Sequence, residues 1–446
     1  MSQVESPPMN SHADALLTKI ANTTAVVGVF GLGYVGLPFA VEKAKVGFKV
    51  LGFDRSEPRV AEVNRGESYI LDVASEELKP LVDQGLIHAT TDFSRIPECD
   101  VIVVAVPTPL TKNLTPDLQY VEAVSREVAK YLRPGQLVSL ESTTYPGTTR
   151  EVMQPILEQS GLQAEKEFFL AHSPERVDPG NQRYTTKNTN KVVGGVGPDS
   201  LQVAEAFYQR TIDHVVTVSS ADAAELVKVF ENTFRAVNIA LVNEIALLCD
   251  KMGLNVWEVL SAAHTKPFGI MPFFPGPGVG GHCIPLDPHY LEWKAREYNF
   301  ATRFIALAGE VNRSMPRFVV EKAQRILNEN GKALHGSKIL ILGMAYKRDI
   351  ADWRESPSLE IFEMLQHAGV EVTYHDIFAP EIEIHGTWYK GVDLTDEAVK
   401  SSDLVIITTD HTSVNYQHIV DLAPAVFDTR NATKNVNDSS KKVVLL

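Results

Sequence analysis

Short apolar runs closed by glycine or a polar turn alternate with stretches of helical apolar spacing through residues 24–218. The runs are 24–30, 49–54, 101–106, 137–141 and 168–171, rich in valine, isoleucine, leucine and phenylalanine. Continuous apolar runs of this length mark strands buried on both faces, whereas a half-exposed strand alternates apolar and polar residues. With helical stretches between most of them, the pattern predicts a parallel sheet covered on both sides. At Ser219 the period changes. Ser219-Ser220-Ala221-Asp222 offers N-cap chemistry, and apolar residues recur at helical spacing through Leu226, Val229, Phe230, Phe234, Val237, Leu241, Ile245 and Leu248, with Gly253 as a stop. The spacing predicts one helix of about 30 residues, apolar enough to be buried against another domain or another subunit. Helical stretches follow at 257–263 and 291–328, with a Gly/Pro loop between them. From Gly336 the strand–turn–helix alternation resumes, with strands expected at 338–346, 370–376, 403–409 and 425–428 and a helix at 358–367.

The expected fold is therefore α/β: two doubly wound domains joined by a long central helix and a helical middle. The divisions fall at 1–22, a polar N-terminal tail with helical character near its end; 23–218; 219–330; and 331–446. A chain of 446 residues exceeds what one core holds, which agrees with that division. No apolar run approaches the ~18 residues of a membrane span, and the N-terminus lacks the basic and apolar regions of a secretory signal. The three cysteines, Cys99, Cys249 and Cys283, have no paired spacing, so neither a disulfide framework nor a zinc site is expected, and a reducing cytoplasm is. A net charge of −14 argues against a nucleic-acid or anionic-membrane partner, and any phosphorylated ligand must be met by local cations and helix N-termini.

Gly31-x-Gly33-x-x-Gly36 follows the first strand and opens a helix, and Asp54 closes the next strand. This is the Rossmann dinucleotide fingerprint: a tight turn, close approach of a pyrophosphate, and helix packed on strand, with the acid on the ribose. An acid at Asp54 favours NAD over NADP, because it repels a 2′-phosphate. The plainer reading is a tight structural turn. Arg59 reads on its own as an ordinary solvated arginine.

Cys283 lies in Pro275-Gly276-Pro277-Gly278-Val279-Gly280-Gly281-His282-Cys283-Ile284-Pro285-Leu286-Asp287-Pro288. A thiol in a glycine-shaped loop is either a nucleophile or a buried structural group. Together with NAD it suggests aldehyde oxidation through a thioester. Lys228 and Asn232 share one face of the long helix at i and i+4, as an oxyanion-stabilising pair or as a snorkelling lysine beside a structural amide. Lys347, Arg354 and Arg430 fall at strand ends or the loops after them, where open α/β sheets bind ligands; singly, each reads as solvated surface charge.

GLGYVG, VPTP at 106–109, STTYPGTT at 142–149, SPER at 173–176, GVGGHCIPLD at 278–287 and GMAYKRDIADWRESP at 343–357 occur in that order. Together they resemble the nucleotide-sugar 6-dehydrogenases, the family of UDP-glucose dehydrogenase, over residues 24–431. The resemblance implies a twofold oxidation of a sugar's primary alcohol to a carboxylate, with two NAD and one water. It implies Cys283 as nucleophile, Asp287 as its assistant, Lys228 and Asn232 on the oxyanion (with Lys228 also a base in the first step), and Thr143 and Glu175 on the hydrolytic water. Cofactor positions are implied at Gly31, Gly33, Gly36, Asp54, Arg59, Thr108, Ser142 and Arg354. Substrate positions are implied at Glu175, Lys228, Asn232, Gly276, Gly278, Gly280, Lys347 and Arg430, so that 331–446 becomes a UDP-sugar-binding domain. A homodimer or larger assembly and a role in surface polysaccharide precursor synthesis are implied as well.

Departures narrow the sugar. Where the UDP-glucose enzymes carry a second glutamate this chain has Pro179, and their Ser-Cys-Phe-Pro-Lys-Asp is His282-Cys-Ile-Pro-Leu286-Asp287 here. Lys266 stands in for an arginine missing before the loop. These forms resemble the branch acting on UDP-N-acetylhexosamines, particularly UDP-N-acetylglucosamine. Loss of charge near the sugar makes room for an acetamido group without selecting an epimer. UDP-N-acetylmannosamine and UDP-glucose remain alternatives, as do a two-electron hydroxyacid dehydrogenase and an NAD sensor without chemistry.

Overall fold

The computed structural model describes residues 10–446 apart from 71, 112, 177–184 and 282. The expectations attached to Pro179 and His282 therefore lie outside the described residues. The chain divides into two compact units, Met1–Glu231 with His289–Phe300, and Asn232–Pro288 with Ala301–Leu446. The segment expected as a helical middle is shared out between these two, and the division falls inside the long helix, Ala221–Met252.

The first unit is built on eight strands: β1 Val26–Phe30, β2 Lys49–Phe53, β3 Ile87–Thr90, β4 Val101–Val104, β5 Leu137–Leu140, β6 Phe169–His172, β7 Lys191–Gly195 and β8 Val215–Thr217. Their order is β3-β2-β1-β4-β5-β6-β7-β8. Both faces are covered, as the continuous apolar runs require. Val27, Val29, Leu37, Ala40, Phe207 and Tyr208 pack on one side, and Phe30, Phe53, Val104, Val121 and Leu140 on the other.

Two expectations are corrected here. The sheet is not wholly parallel: β7 runs antiparallel to β6, with Ala171 opposite Gly195. A parallel return needs a crossover of a dozen or more residues, usually a helix. The polar segment 173–190 has no helical apolar spacing to supply one. The N-terminal segment is helical near its end, as expected, but it packs into a core rather than trailing as a tail. Ser11–Ala21 is a helix capped by Asn10, whose side chain accepts from the His12 N–H at 2.9 Å. Its Ala13, Leu16 and Ile20 are buried in the first unit's core.

The second unit carries a five-stranded sheet, parallel throughout, from β9 Lys338–Leu342, β10 Glu371–His375, β13 Leu404–Ile407, β14 Val426–Asp428 and β15 Val443–Leu445. The order is β10-β9-β13-β14-β15, and β11 Glu381–Ile384 with β12 Thr387–Lys390 forms a separate hairpin. The helices Arg303–Glu329 and Pro357–His367 cover one face, burying Met315, Val319, Ile361 and Leu365. The helical stretch expected over 291–328 is broken: one helix is Asp287–Ala295 and the next begins at Arg303. Asn299, at φ 53°, ends the intervening turn in the left-handed conformation that asparagine tolerates.

The long helix has 32 residues. Of its apolar positions Val229, Ala236, Ala240 and Ala246 are buried, whereas Leu226, Phe230, Phe234, Leu241 and Leu248 are exposed on this chain. The exposed five are spaced by four and seven residues, so they form one stripe. No helix among the described residues is long and apolar enough to cross a membrane.

Candidate active site

In the first unit the strand order reverses direction beside β1, where β2 lies on one side and β4 on the other. Crevices at such switch points, past the carboxyl ends of the strands, are where open α/β sheets bind ligands. Gly31 turns the chain there at φ +89°, and a side chain on it would meet the Ala105 carbonyl at 2.5 Å. A side chain on Gly36 would lie 1.8 Å from the Gly31 carbonyl oxygen, so this glycine lets helix and strand close on each other. At Gly33 an added Cβ meets no protein atom within 4 Å. The three glycines thus differ: two answer to the protein, and one leaves its backbone open to a ligand.

Asp54 sits directly against this turn. Its carboxylate accepts the Leu32 N–H at 3.0 Å and the Ser56 N–H at 2.9 Å, leaving lone pairs for further donors. Arg59 lies 4.0 Å from Asp54 and places its guanidinium 5.6 Å from the centre of the Tyr69 ring. Tyr69 in turn donates to the Leu32 carbonyl at 2.6 Å, and burial pushes its phenol up to about 12. Ser142 accepts from the Val106 N–H at 3.0 Å and donates to the Val106 carbonyl at 2.7 Å. Thr108 donates to the Thr143 carbonyl at 2.7 Å. These bonds join the loops after β4 and β5 into one wall. An open glycine backbone, an acid with free lone pairs and hydroxyl-bearing loops fit a dinucleotide with unphosphorylated ribose, which is NAD.

Glu175 follows β6 and accepts the Arg176 N–H at 2.7 Å. Lys228 is 8 % exposed and has no hydrogen bond or ion pair among the described residues. A buried lysine amine with no fixed partner is available to a reacting oxygen.

In the second unit Cys283 is exposed, which removes the structural-thiol reading; Cys99 and Cys249 are the buried cysteines. The Cys283 carbonyl accepts from the Leu286 N–H at 3.2 Å and the Asp287 N–H at 2.9 Å, so a tight turn leads from the thiol to the helix that Asp287 opens. Asp287 is buried and accepts from the Asn232 amide. Arg235 donates to the Asn232 carbonyl oxygen, which fixes the amide's orientation and leaves it a second N–H.

The glycine-rich loop is shaped by what it passes. Gly276 donates to Asn243 at 3.0 Å, and a Cβ there would strike the Arg430 guanidinium at 2.6 Å. A Cβ on Gly278 (φ +141°) would lie 2.8 Å from Pro357, and one on Gly280 would lie 2.8 Å from Tyr346. The structure therefore brings the glycine loop, the 343–357 motif and Arg430 together within this unit. Arg430 donates to the Thr408 carbonyl at 2.9 Å; burial lowers its guanidinium to about 10, against the pull of Asp428, so it remains a cation at neutral pH. Lys347 lies on the half-buried turn after β9. Arg354 makes a bidentate pair with Asp352, at 2.9 and 2.8 Å. Lys266 lies over the Phe268 ring at 4.8 Å.

Asp376 follows β10 just as Asp54 follows β2. The structure separates them. Asp376 accepts four backbone N–H bonds, from Met344, Ala345, Phe378 and Ala379, and pairs with His411 at 3.1 Å. Its lone pairs are used up inside the protein, so the second unit lacks the ribose-reading acid of the first. Sequence reasoning also passed over Glu141, Lys191 and Tyr208, a buried polar cluster around Glu175. The signal was there: a single charge at one end of a mostly apolar run, in Leu137-Val-Ser-Leu-Glu141 and again in Lys191-Val-Val. Among the described residues no group of three His, Cys, Asp or Glu side chains is placed to hold a metal ion.

Comparison with known proteins agrees with this division of labour. Models of the UDP-glucose/GDP-mannose dehydrogenase family match as the NAD binding domain over residues 25–212, the central domain over 222–314 and the UDP binding domain over 340–435. The chain is 35% identical over 397 residues to the UDP-N-acetyl-D-mannosamine dehydrogenase of Pyrococcus horikoshii, covering 88% of this chain and 92% of the relative. It is 36% identical over 356 residues to the UDP-N-acetyl-D-glucosamine 6-dehydrogenase of Pseudomonas aeruginosa, covering 79% and 82%. Among solved structures, a UDP-D-ManNAc dehydrogenase from Pyrococcus horikoshii superposes with a TM-score of 0.85 at 32% identity, over 94% of this chain and 98% of that one. With an open dinucleotide turn in one unit, an exposed thiol beside a buried carboxylate–amide pair in the other, and all three domain models matched, the chain belongs to the UDP-glucose/GDP-mannose dehydrogenase family and is an NAD-dependent UDP-sugar dehydrogenase.

Proposed function

We propose that the chain oxidises the 6-hydroxymethyl group of UDP-N-acetylglucosamine to the uronic acid in two successive two-electron steps. The observation that carries the reading is Cys283, exposed on its loop beside the buried Asn232–Asp287 pair. A simple alcohol dehydrogenase has no use for that thiol. NAD, when bound, accepts a hydride in each oxidation. It would be held by Gly31, Gly33, Gly36, Asp54, Arg59, Thr108, Ser142 and Arg354. Lys228 takes the proton from the sugar hydroxyl in the first step. Cys283 then adds as thiolate to the aldehyde carbon, and Lys228 with the second N–H of Asn232 donates to the oxyanion. Asp287 orients Asn232 and assists the thiol. Thr143 holds a water that Glu175 deprotonates, and its attack on the thioester releases the acid and returns the thiolate. Lys347 and Arg430 meet the diphosphate and sugar, and the loop at Gly276, Gly278 and Gly280 lines them.

The choice of sugar rests on Leu286 and Pro179, which remove charge where UDP-glucose enzymes carry lysine and glutamate. Relatives named for the manno and gluco epimers lie at 35% and 36% identity, so the N-acetylhexosamine class is favoured more strongly than the epimer. Three cysteines held as thiols rather than disulfides support a cytoplasmic setting, and the product class supports surface polysaccharide precursor synthesis. NADH formation over UDP-N-acetylglucosamine, UDP-N-acetylmannosamine, UDP-N-acetylgalactosamine and UDP-glucose tests the assignment. The highest kcat/KM should fall on UDP-N-acetylglucosamine; a preference for UDP-glucose would overturn the N-acetylhexosamine reading, and one for the manno epimer would overturn the epimer alone.

A further inference from the structure

The second sheet has a switch point of its own. β9 lies between β10 and β13, and the turn that leaves it, residues 343–352, carries Lys347. Open α/β sheets bind ligands past the carboxyl ends of their strands at such a point, so whatever shapes this turn shapes the binding surface. Its near end is held from both sides. Asp376, after β10, accepts the Met344 and Ala345 N–H groups at 2.7 and 2.8 Å. Thr409, after β13, donates its hydroxyl to the Ala345 carbonyl at 2.6 Å. The far end is held by the loop after β13 alone. His411, a buried side chain, accepts the Asp349 N–H on Nδ1 at 3.0 Å. The Asp349 carboxylate accepts the Thr412 N–H and hydroxyl at 3.0 and 2.9 Å. Asp349 itself takes the left-handed conformation, φ 57°, which a residue with a side chain keeps only where its surroundings fix it.

We infer that His411 is a positioning residue for the UDP-sugar: its bare Nδ1 sets the far end of the turn that presents Lys347. This role rests on the assignment of Lys347 to the diphosphate. Lys347 stands two residues after Ala345 and two before Asp349, so the turn is pinned on each side of it. The tautomer follows from the donors. Nδ1 receives an N–H and so carries no proton; the ring proton is on Nε2, which donates to Asp376 at 3.1 Å. The same Asp376 oxygen takes the Met344 and Ala345 N–H groups. One carboxylate oxygen therefore fixes the near end directly and the far end through the imidazole. An aliphatic side chain could fill the space, but it would leave the Asp349 N–H without its acceptor.

The groups around the ring keep this arrangement in place. The Phe378 ring lies 5.0 Å away, centre to centre, and the Tyr416 hydroxyl donates to the His411 carbonyl at 3.0 Å. Burial pushes the Asp376 carboxyl up, but the hydrogen bond from His411 and those from the backbone outweigh it and hold the group below its usual range. Asp376 is thus an ionised acceptor at neutral pH. Burial also opposes the Asp349 charge, and the Thr412 N–H and hydroxyl outweigh it. That carboxylate lies 3.5 Å from Nδ1, farther than the Asp349 N–H. Arg348, next to Lys347, is paired with Asp410. A Cβ on Gly281 would lie 2.9 Å from the Tyr346 ring, so the turn also backs the glycine-rich loop.

Two replacements separate positioning from packing. Asparagine carries an oxygen where Nδ1 stands but falls short of Asp376. Glutamine keeps more of the ring's volume but puts its polar atoms at the level of Nε2. The readout is the dissociation constant of UDP, with that of NAD and the melting temperature measured on the same proteins. His411→Gln should weaken UDP binding about tenfold and His411→Asn less than about threefold, with NAD binding unchanged in both. His411→Asn, the smaller, should nevertheless melt lower. A packing role would reverse the binding order and favour glutamine. That reversal, equal UDP affinities in the two variants, or a matching loss of NAD affinity would overturn the role of His411. Lys347→Met tests the assignment beneath it. Unchanged UDP binding in that variant sinks both, whereas binding weakened at least tenfold there, without the stated order at His411, sinks only the role of His411.

Discussion

Gly33 and Gly36 stand three residues apart in one turn, yet a methyl group added to each meets opposite surroundings. At Gly36 it would lie 1.8 Å from a backbone oxygen, and at Gly33 it would touch nothing in the protein. Gly36→Ala should therefore force strand and helix apart and lower stability by about 3 kcal/mol. Gly33→Ala should melt within a degree or two of the parent but bind NAD at least tenfold more weakly, because the methyl occupies the ligand's space. Thermal melting and NAD titration of both proteins check this. Equal melting temperatures for the two variants would contradict the division of roles. The sequence shows three glycines at the right spacing, but not which serve the chain and which serves the ligand. The same limit applies to Asp54 and Asp376. Both end a strand with Asp after an aromatic or histidine, and only the hydrogen bonds each accepts tell a ribose site from a structural knot.

Among the elements, the helix Ala221–Met252 came closest to its reading: spacing, caps and length all pointed to it. Its environment was less legible, since periodicity marks an apolar face without naming what covers it. Leu226, Phe230, Phe234, Leu241 and Leu248 form a stripe exposed on this chain, more apolar surface than a lone helix usually leaves in water. We propose that a second copy of the chain covers it, giving a homodimer or larger assembly. Sedimentation at micromolar concentration should show no more than a minor monomer, and Phe230→Glu with Leu241→Glu should raise that fraction. Monomer alone for the parent protein would contradict the proposal. Where the structure departed from expectation, a single local feature decided it. Asn299 ended a helical stretch that periodicity alone would have continued, and the polar sequence of 173–190 has no helical apolar spacing to return β7 parallel.

Across the whole chain, an acidic protein of net charge −14 that takes a UDP-sugar must place its cations well. Arg430 is a case, enclosed beside Asp428 yet still cationic. The reaction class was legible in the sequence because six motifs in order carry the thiol and both carboxylates, and the lysine and amide share one face of the long helix between them. The buried cluster of Lys191, Glu141 and Tyr208 was not, because its members are remote in sequence and meet only when β5, β6 and β7 lie side by side. The central claim is that one active cysteine carries a four-electron oxidation. The most direct measurement is the ratio of NADH formed to UDP-N-acetylglucosamine consumed, for the parent protein and for Cys283→Ser. The account predicts two NADH per sugar, with uronic acid as product, and no sustained acid formation by the variant. One NADH per sugar, or acid formation by Cys283→Ser at the parent rate, would contradict it.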